Sequence, residues 1–281
     1  MKNLAFLLFL SFVFNYTFSK ETSIYDITDY GAVGNGVKLN TQQIQNAVNE
    51  CAENGGGTVY IPAGVYVTGT LQLFDNINLY LEAGSEIKGS PNLSDYPPTD
   101  YKSEQRNTFL IYAYDAKNVS ITGRGAINGN DSAFFNWQKV HPGCCLDPEY
   151  VRQGNKYNNH FPDGPAAVKG GGENRPGILV AIINCENFQM KDLEIKNAPN
   201  WSVHLAGCNK ATITNVTVNN SLLVPNADAF DISVSKNVLI SDCNITAGDD
   251  GIAISPCGDG FASMDAENIH VSNCNITSRS A

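Results

Sequence analysis

Two stretches decide the fold: Asn237–Thr246, NVLISDCNIT, and Asn268–Thr277, NIHVSNCNIT. Each contains a short alternating strand, a brief polar turn, and a second short strand closed by Asn-Ile-Thr. The pattern recurs more loosely upstream in NINLYLEAGSEIKG, NVSITGRGAING, NFQMKDLEIKN and ATITNVTVNN. Asn187, Lys210, Asn237 and Asn268 are equivalent points, and the units between them lengthen steadily along the chain. Each unit falls within the roughly 20–50 residues typical of repeat architectures. Units so short, all strand and turn, predict a solenoid in which each coil hydrogen-bonds to the next. A propeller blade needs roughly 40 residues and its own repeat signature, and neither is present. The expected fold class is therefore all-β, a right-handed parallel β-helix.

Outward from the repeat, the N-terminal side has a different period. In TQQIQNAVNECAENGGG, the residues Ile44, Ala47, Val48 and Cys51 share one helical face. Thr41 is placed to cap the start, and Gly55 to Gly57 to end it. This helix is expected to cover the open end of the solenoid, because an uncovered coil edge invites pairing with other chains. Further upstream, Lys2, the apolar run Leu4 to Val13, and Thr17 and Ser19 ahead of Lys20 have the layout of a secretory signal peptide. The predicted organisation is a signal at residues 1–19 and one domain over residues 20–281. The product is expected to be secreted or periplasmic, with no membrane span.

Composition narrows the partners. Eighteen basic against 28 acidic residues leave a net charge of −10, which excludes general affinity for nucleic acid or an anionic membrane. Of the eight cysteines, Cys185 and Cys208, then Cys243 and Cys274, recur at equivalent places in successive units, as small stacked core residues would. Cys144 and Cys145 lie in a different setting and are the better disulfide candidates. No C-x-x-C pattern suggests zinc. Asn118, Asn215, Asn244 and Asn275 stand in N-x-[ST] triplets, but their recurrence inside the repeat predicts stacked turn asparagines. Between Asp131 and Arg175 the repeat breaks into a long loop, a length usually tied to function. Its Trp137, Tyr150, Tyr157 and Phe161 offer flat faces for sugar rings.

The chemistry is concentrated in PNADAFDIS and TAGDDGIAIS. The separation of Asp228 from Asp249 is close to one coil of the repeat. Residues one coil apart in a parallel solenoid lie about 4.8 Å from each other, so Asp228, Asp249 and Asp250 are expected to share one outer face. Three carboxyls so placed repel, and at least one must hold its proton more firmly than usual. The cluster then suits general acid–base hydrolysis of a glycoside, or it suits Ca²⁺ and a lyase reaction. A non-catalytic polysaccharide-binding β-helix is a third reading.

The chain resembles the polygalacturonase family of glycoside hydrolases, family 28, from ITDYGAVGNG through LYLEAGSEIKGS, RPGILVAIINCENFQMKDLEIKNAPNWSVH, PNADAFDIS and GDDGIAIS. The family's Asn-Thr-Asp-Gly reads Asn226-Ala227-Asp228-Ala229 here, and its Gly-Asp-Asp is intact at Gly248-Asp249-Asp250. The resemblance implies that Asp249 is the general acid, that Asp228 and Asp250 hold the attacking water, and that neither metal nor cofactor takes part. The substrate it implies is a pectic polysaccharide: pectin, galacturonan or rhamnogalacturonan. Departures are equally specific. Ser280 stands where the family's Gly-Gly-His-Gly has its histidine, and no Arg-x-Lys follows before Ala281, so a longer natural chain is expected. Asn226, His204, Trp137 and Arg279 complete the expected substrate-binding set. His204 precedes Asp228 by about the length of a repeat unit, which places it one coil below. The expected protein is a monomeric, inverting, secreted pectic glycosidase, with exo or endo action open.

Overall fold

The computed structural model describes residues 23–101, 107–136, 167–168, 174–256 and 265–279. The expected signal peptide, Trp137, Cys144, Cys145, Tyr150, Tyr157, Phe161 and Ser280 lie outside the described residues. The chain winds as a parallel β-helix of three sheets, two of eight strands and one of six. Each coil visits them in turn, as in Asn209–Thr214, Thr217–Asn219 and Phe230–Ser233, followed by Lys236–Ser241, Asn244–Ala247 and Ile252–Ser255. Every pairing within these three sheets is parallel, which requires a crossover of about a dozen residues or more; the rest of each coil supplies it.

Alternation in the sequence becomes ladders in the core. Ile87, Ile127, Ile195, Val218, Ile245 and Ile276 stand in register up the second sheet. Leu71, Ile111, Val180, Val203, Phe230 and Ile252 do the same in the third. Like residues on neighbouring coils suit such a stack, because β-branched side chains pack well on a pleated surface. The cysteines follow the same rule. Cys185, Cys208, Cys243 and Cys274 carry no disulfide, and each thiol donates to a main-chain carbonyl nearby. Burial pushes the Cys185 and Cys243 thiols up to about 11 and Cys208 to about 12. They are inert packing groups.

The four equivalent points of the repeat prove to share one backbone state. Asn187, Lys210, Asn237 and Asn268 all have positive φ, between 54° and 61°. Asparagine tolerates this left-handed conformation better than most residues, and there its side chain can join a ladder. The Nδ2 of Asn118 donates to Asn76 Oδ1 and that of Asn187 to Asn118 Oδ1, both at 2.8 Å. Asn215 donates to Asp192 at 2.7 Å and Asn275 to Asn244 at 3.0 Å. Asn118 and Asn215 therefore sit in the stacked turns that their periodicity predicts, whereas Asn244 and Asn275 stack as the first residues of the strands Asn244–Ala247 and Asn275–Ser278.

The helix spans Thr41–Glu53 and buries the expected face, Ile44, Ala47, Val48 and Cys51. Its cap differs from expectation. Asn40 occupies the N-cap position, and its side chain is turned away to bind Val33 and the carbonyl of Lys38. Thr41 instead uses its hydroxyl to accept the N–H of Gly69 at 2.7 Å. The helix seals one edge directly. Leu71–Leu73 is the end strand of the third sheet, and the amide of Gln45 both accepts from Gln72 N (2.9 Å) and donates to Gln72 O (3.0 Å), in place of a neighbouring strand.

The segment expected as a long loop is partly structured at its base. Phe135–Asn136 pairs antiparallel with Ala167–Val168, so the excursion leaves the solenoid on a two-stranded stem.

Candidate active site

The acidic residues lie where the chain passes from the second sheet to the third. Phe230 pairs with Ile252, and the N–H of Ala229 donates to the carbonyl of Asp250 at 3.0 Å. The coil that leaves Asp228 therefore closes at Asp250, and Asp249 stands one position before that point. The predicted meeting of the three acids on one turn holds, shifted by one position. Asp228 is 5% exposed and Asp249 8%.

Local sequence explains how two turns bring carboxyls so close. Asn226 has φ 55°, the left-handed state that asparagine favours. Its main-chain N–H and its Nδ2 face Asp249 Oδ2 at 3.3 and 3.5 Å. Gly248 cannot carry a side chain, since a Cβ there would lie 2.2 Å from Val224 O and 2.6 Å from Ser221 O. The glycine lets one turn rest directly on the other.

Burial is the main cause of an electrostatic asymmetry. It raises the Asp228 carboxyl well above the usual aspartate range, and the charges of Asp249 and Asp250 add to the rise. A main-chain N–H and the nearby Arg175 oppose it. Among the described residues, no hydrogen-bond donor reaches Asp228 Oδ1 or Asp250 Oδ1. Among the described residues no group of three or more His, Cys, Asp or Glu side chains has a metal-holding arrangement. Asp131, at the foot of the insertion, is pushed up to about 6 by burial.

The other expected residues fare differently. His204 projects from the same sheet, but its coil closes at Asp231 rather than at Asp228, because the coil there is longer than the site's own. The ring is 0% exposed, packs edge-on against Trp201 at 5.2 Å, and lies 3.1 Å from Ser233 Oγ through Nε2. It offers no open face to a ligand. Arg279 follows Ser278, which pairs with Ala247, so its backbone stands one coil beyond Gly248. His270 is exposed.

Arg175 was invisible to pattern reading. It is buried, donates through Nη1 to the carbonyls of Pro199 (2.8 Å) and Pro225 (2.6 Å), and donates through Nη2 to Asn226 Oδ1 (3.1 Å). Its guanidinium lies over the Phe135 ring at 5.7 Å, a cation–π contact. Nothing periodic marks it. The only hint is a lone arginine just where the repeat resumes.

Fold and site together define a parallel β-helix protein in which two buried carboxyls, Asp228 and Asp249, meet the half-buried Asp250, an arrangement that suits glycoside hydrolysis. The chain belongs to the glycosyl hydrolases family 28, whose family model matches residues 51–279. It is 30% identical over 254 residues to an exo-poly-alpha-D-galacturonosidase of Dickeya chrysanthemi, covering 82% of this chain and 41% of that one. Identity to a protein of Vitis vinifera described as "Probable polygalacturonase" is 27% over 241 residues, 81% of this chain and 43% of that one. Among solved structures, the hyperthermoactive exopolygalacturonase of Thermotoga maritima superposes with a TM-score of 0.64 at 26% identity, covering 83% of this chain and 54% of that one. The chain thus spans under half the length of these two curated relatives.

Proposed function

We propose that this protein hydrolyses the glycosidic bonds of a galacturonan-type pectic polysaccharide with inversion, as a secreted enzyme. The observation that carries the reading is the burial of Asp228 against Asp249 and Asp250, which makes the cluster hold a proton where a lone aspartate would have lost it. Three carboxyls this close titrate as a unit, so the retained proton belongs to the trio. With sugar docked, Asp249 passes it to the glycosidic oxygen as the bond to the anomeric carbon breaks. Asp228 and Asp250 orient a water on the opposite face. Its oxygen bonds to that carbon, and its proton returns to a carboxylate of the pair. Asn226, expected as a substrate-binding residue, holds Asp249 in this reading, and Arg279 is the cation assigned to an acidic sugar. His204 braces the sheet behind the site. The likeness to the Dickeya protein, named an exo-acting galacturonosidase, supports galacturonan as the substrate class.

Release of reducing ends from polygalacturonate, with the anomeric form of the first product read by proton NMR, tests the proposal. Asp249→Asn is expected to lower kcat by roughly 10²–10⁴-fold. Retention of configuration, or calcium-dependent products with an unsaturated end, would sink it.

A further inference from the structure

We propose that Arg175 is a positioning residue for this reaction, pinning Asn226 so that its two N–H groups face one oxygen of Asp249 and direct the transferable proton to the other. The inference rests on the reading above for its chemistry and on five contacts for its geometry. Nη2 of Arg175 donates to Asn226 Oδ1 at 3.1 Å. An amide whose oxygen is claimed in this way must present its Nδ2 on the other side, and there it meets Asp249 Oδ2 at 3.5 Å, beside the Asn226 main-chain N–H at 3.3 Å. Nη1 meanwhile ties together the carbonyls of Pro199 and Pro225. Pro225 immediately precedes Asn226, so the guanidinium holds both the backbone and the side chain of the turn that faces Asp249.

A lysine could not do this. Three acceptors around one group match the fixed fork of a guanidinium, whereas an ammonium is a point charge on a flexible stem. Phe135, on the stem of the insertion, lies against the guanidinium and helps hold its plane. The arrangement separates the oxygens of the carboxyl. Oδ2 accepts from Asn226, and a proton on Asp249 therefore resides on Oδ1. The charged groups that act on the neighbouring Asp228 carboxyl are Asp249, Asp250 and Arg175, and the backbone of Arg279 follows Ser278 one coil beyond Ala247.

The test combines crystal structures with kinetics on polygalacturonate for the wild type, Arg175→Gln, Arg175→Lys, Asn226→Ala and the Arg175→Gln/Asn226→Ala double variant. In Arg175→Gln, the Asn226 side chain is expected to leave Asp249 Oδ2. Its kcat should fall roughly ten- to a hundred-fold with KM within about two-fold. Arg175→Lys should not restore kcat. The acid limb of the pH profile should move to higher pH in Arg175→Gln but stay in place in Arg175→Lys, because the cation opposes the rise at Asp228. Residues acting through one another lose less together than the product of their separate losses, so the double variant should be no worse than the poorer single one.

An Asn226 amide still seated on Asp249 in Arg175→Gln, or losses that multiply, would overturn the proposal. Should Arg175→Gln not fold, undiminished kcat in folded Asn226→Ala would overturn it equally. If the wild type cleaves no pectic polymer, the proposed function fails, while the crystal structures still decide the link from Arg175 through Asn226 to Asp249.

Discussion

Asp228 illustrates how far one buried group can set stability against activity. Its folded-state proton affinity is raised well above the unfolded value of 3.8 by burial and by two acidic neighbours. Between 3.8 and that raised value the native state binds more protons than the unfolded chain, so stability falls as pH rises through the window. Below about 4 the contribution is fully present. Asp228→Asn removes the penalty while keeping the shape. The variant is expected to melt higher than the wild type at pH 8, with the gap closing towards pH 4, and to be inactive throughout. Calorimetry at the two pH values checks this. Equal or lower melting at pH 8 would show that the cluster is not strained in the way described. On the proposed role of Asp228, that gain in stability trades against activity.

At the scale of the element, the repeat stands or falls on its turns and ladders. Lys210 is the exception among the four equivalent left-handed positions, the other three being asparagine. A residue other than glycine, asparagine or aspartate is strained there by about 1–2 kcal/mol, and Lys210 is exposed, so nothing packs against a replacement. Lys210→Asn should raise the melting temperature by roughly 2–4 °C per kcal/mol recovered, read by thermal denaturation followed by circular dichroism. An unchanged or lower melting point would mean that the turn is held by something other than its backbone state. Gln45 shows the complementary device. One helix side chain takes the place of a strand against Gln72 and closes an edge that would otherwise present open main-chain groups.

For the whole molecule, a solenoid makes stability local. Each coil touches only its neighbours, so a defect spreads along the stack by nearest-neighbour terms. Ile195 lies in the middle of the second-sheet ladder and is fully buried. Ile195→Ala should cost about 2–5 kcal/mol. Hydrogen exchange is expected to quicken first in Ala126–Asn128 and Thr217–Asn219, the strands on either side, and least in Ile24–Asp26 at the far end. Uniform loss of protection would instead indicate a single cooperative unit.

Much of this architecture is written in local order. Strand alternation, recurring Asn-Ile-Thr closures and repeated cysteines all follow from a chain that returns to the same place after each coil. That return also announces the acidic site, because two motifs one coil apart are brought together by the winding itself. The irregular features escape such reading. Coil length varies along the chain, so His204 comes to lie beside Asp231 instead of Asp228. Thr41 does not cap the helix because Gly69 claims its hydroxyl, and the Asn40 side chain at the N-cap position is taken by Val33 and Lys38.

Sequence alone therefore determined the solenoid, its capping helix and the meeting of Asp228 with Asp249 and Asp250, since each depends on a period that residues spell out. Only the tertiary structure revealed Arg175. Its acceptors include the main-chain carbonyls of Pro199 and Pro225, groups that every residue possesses and no side-chain pattern can signal. Burial fixes those contacts, and with them the turn that carries Asn226.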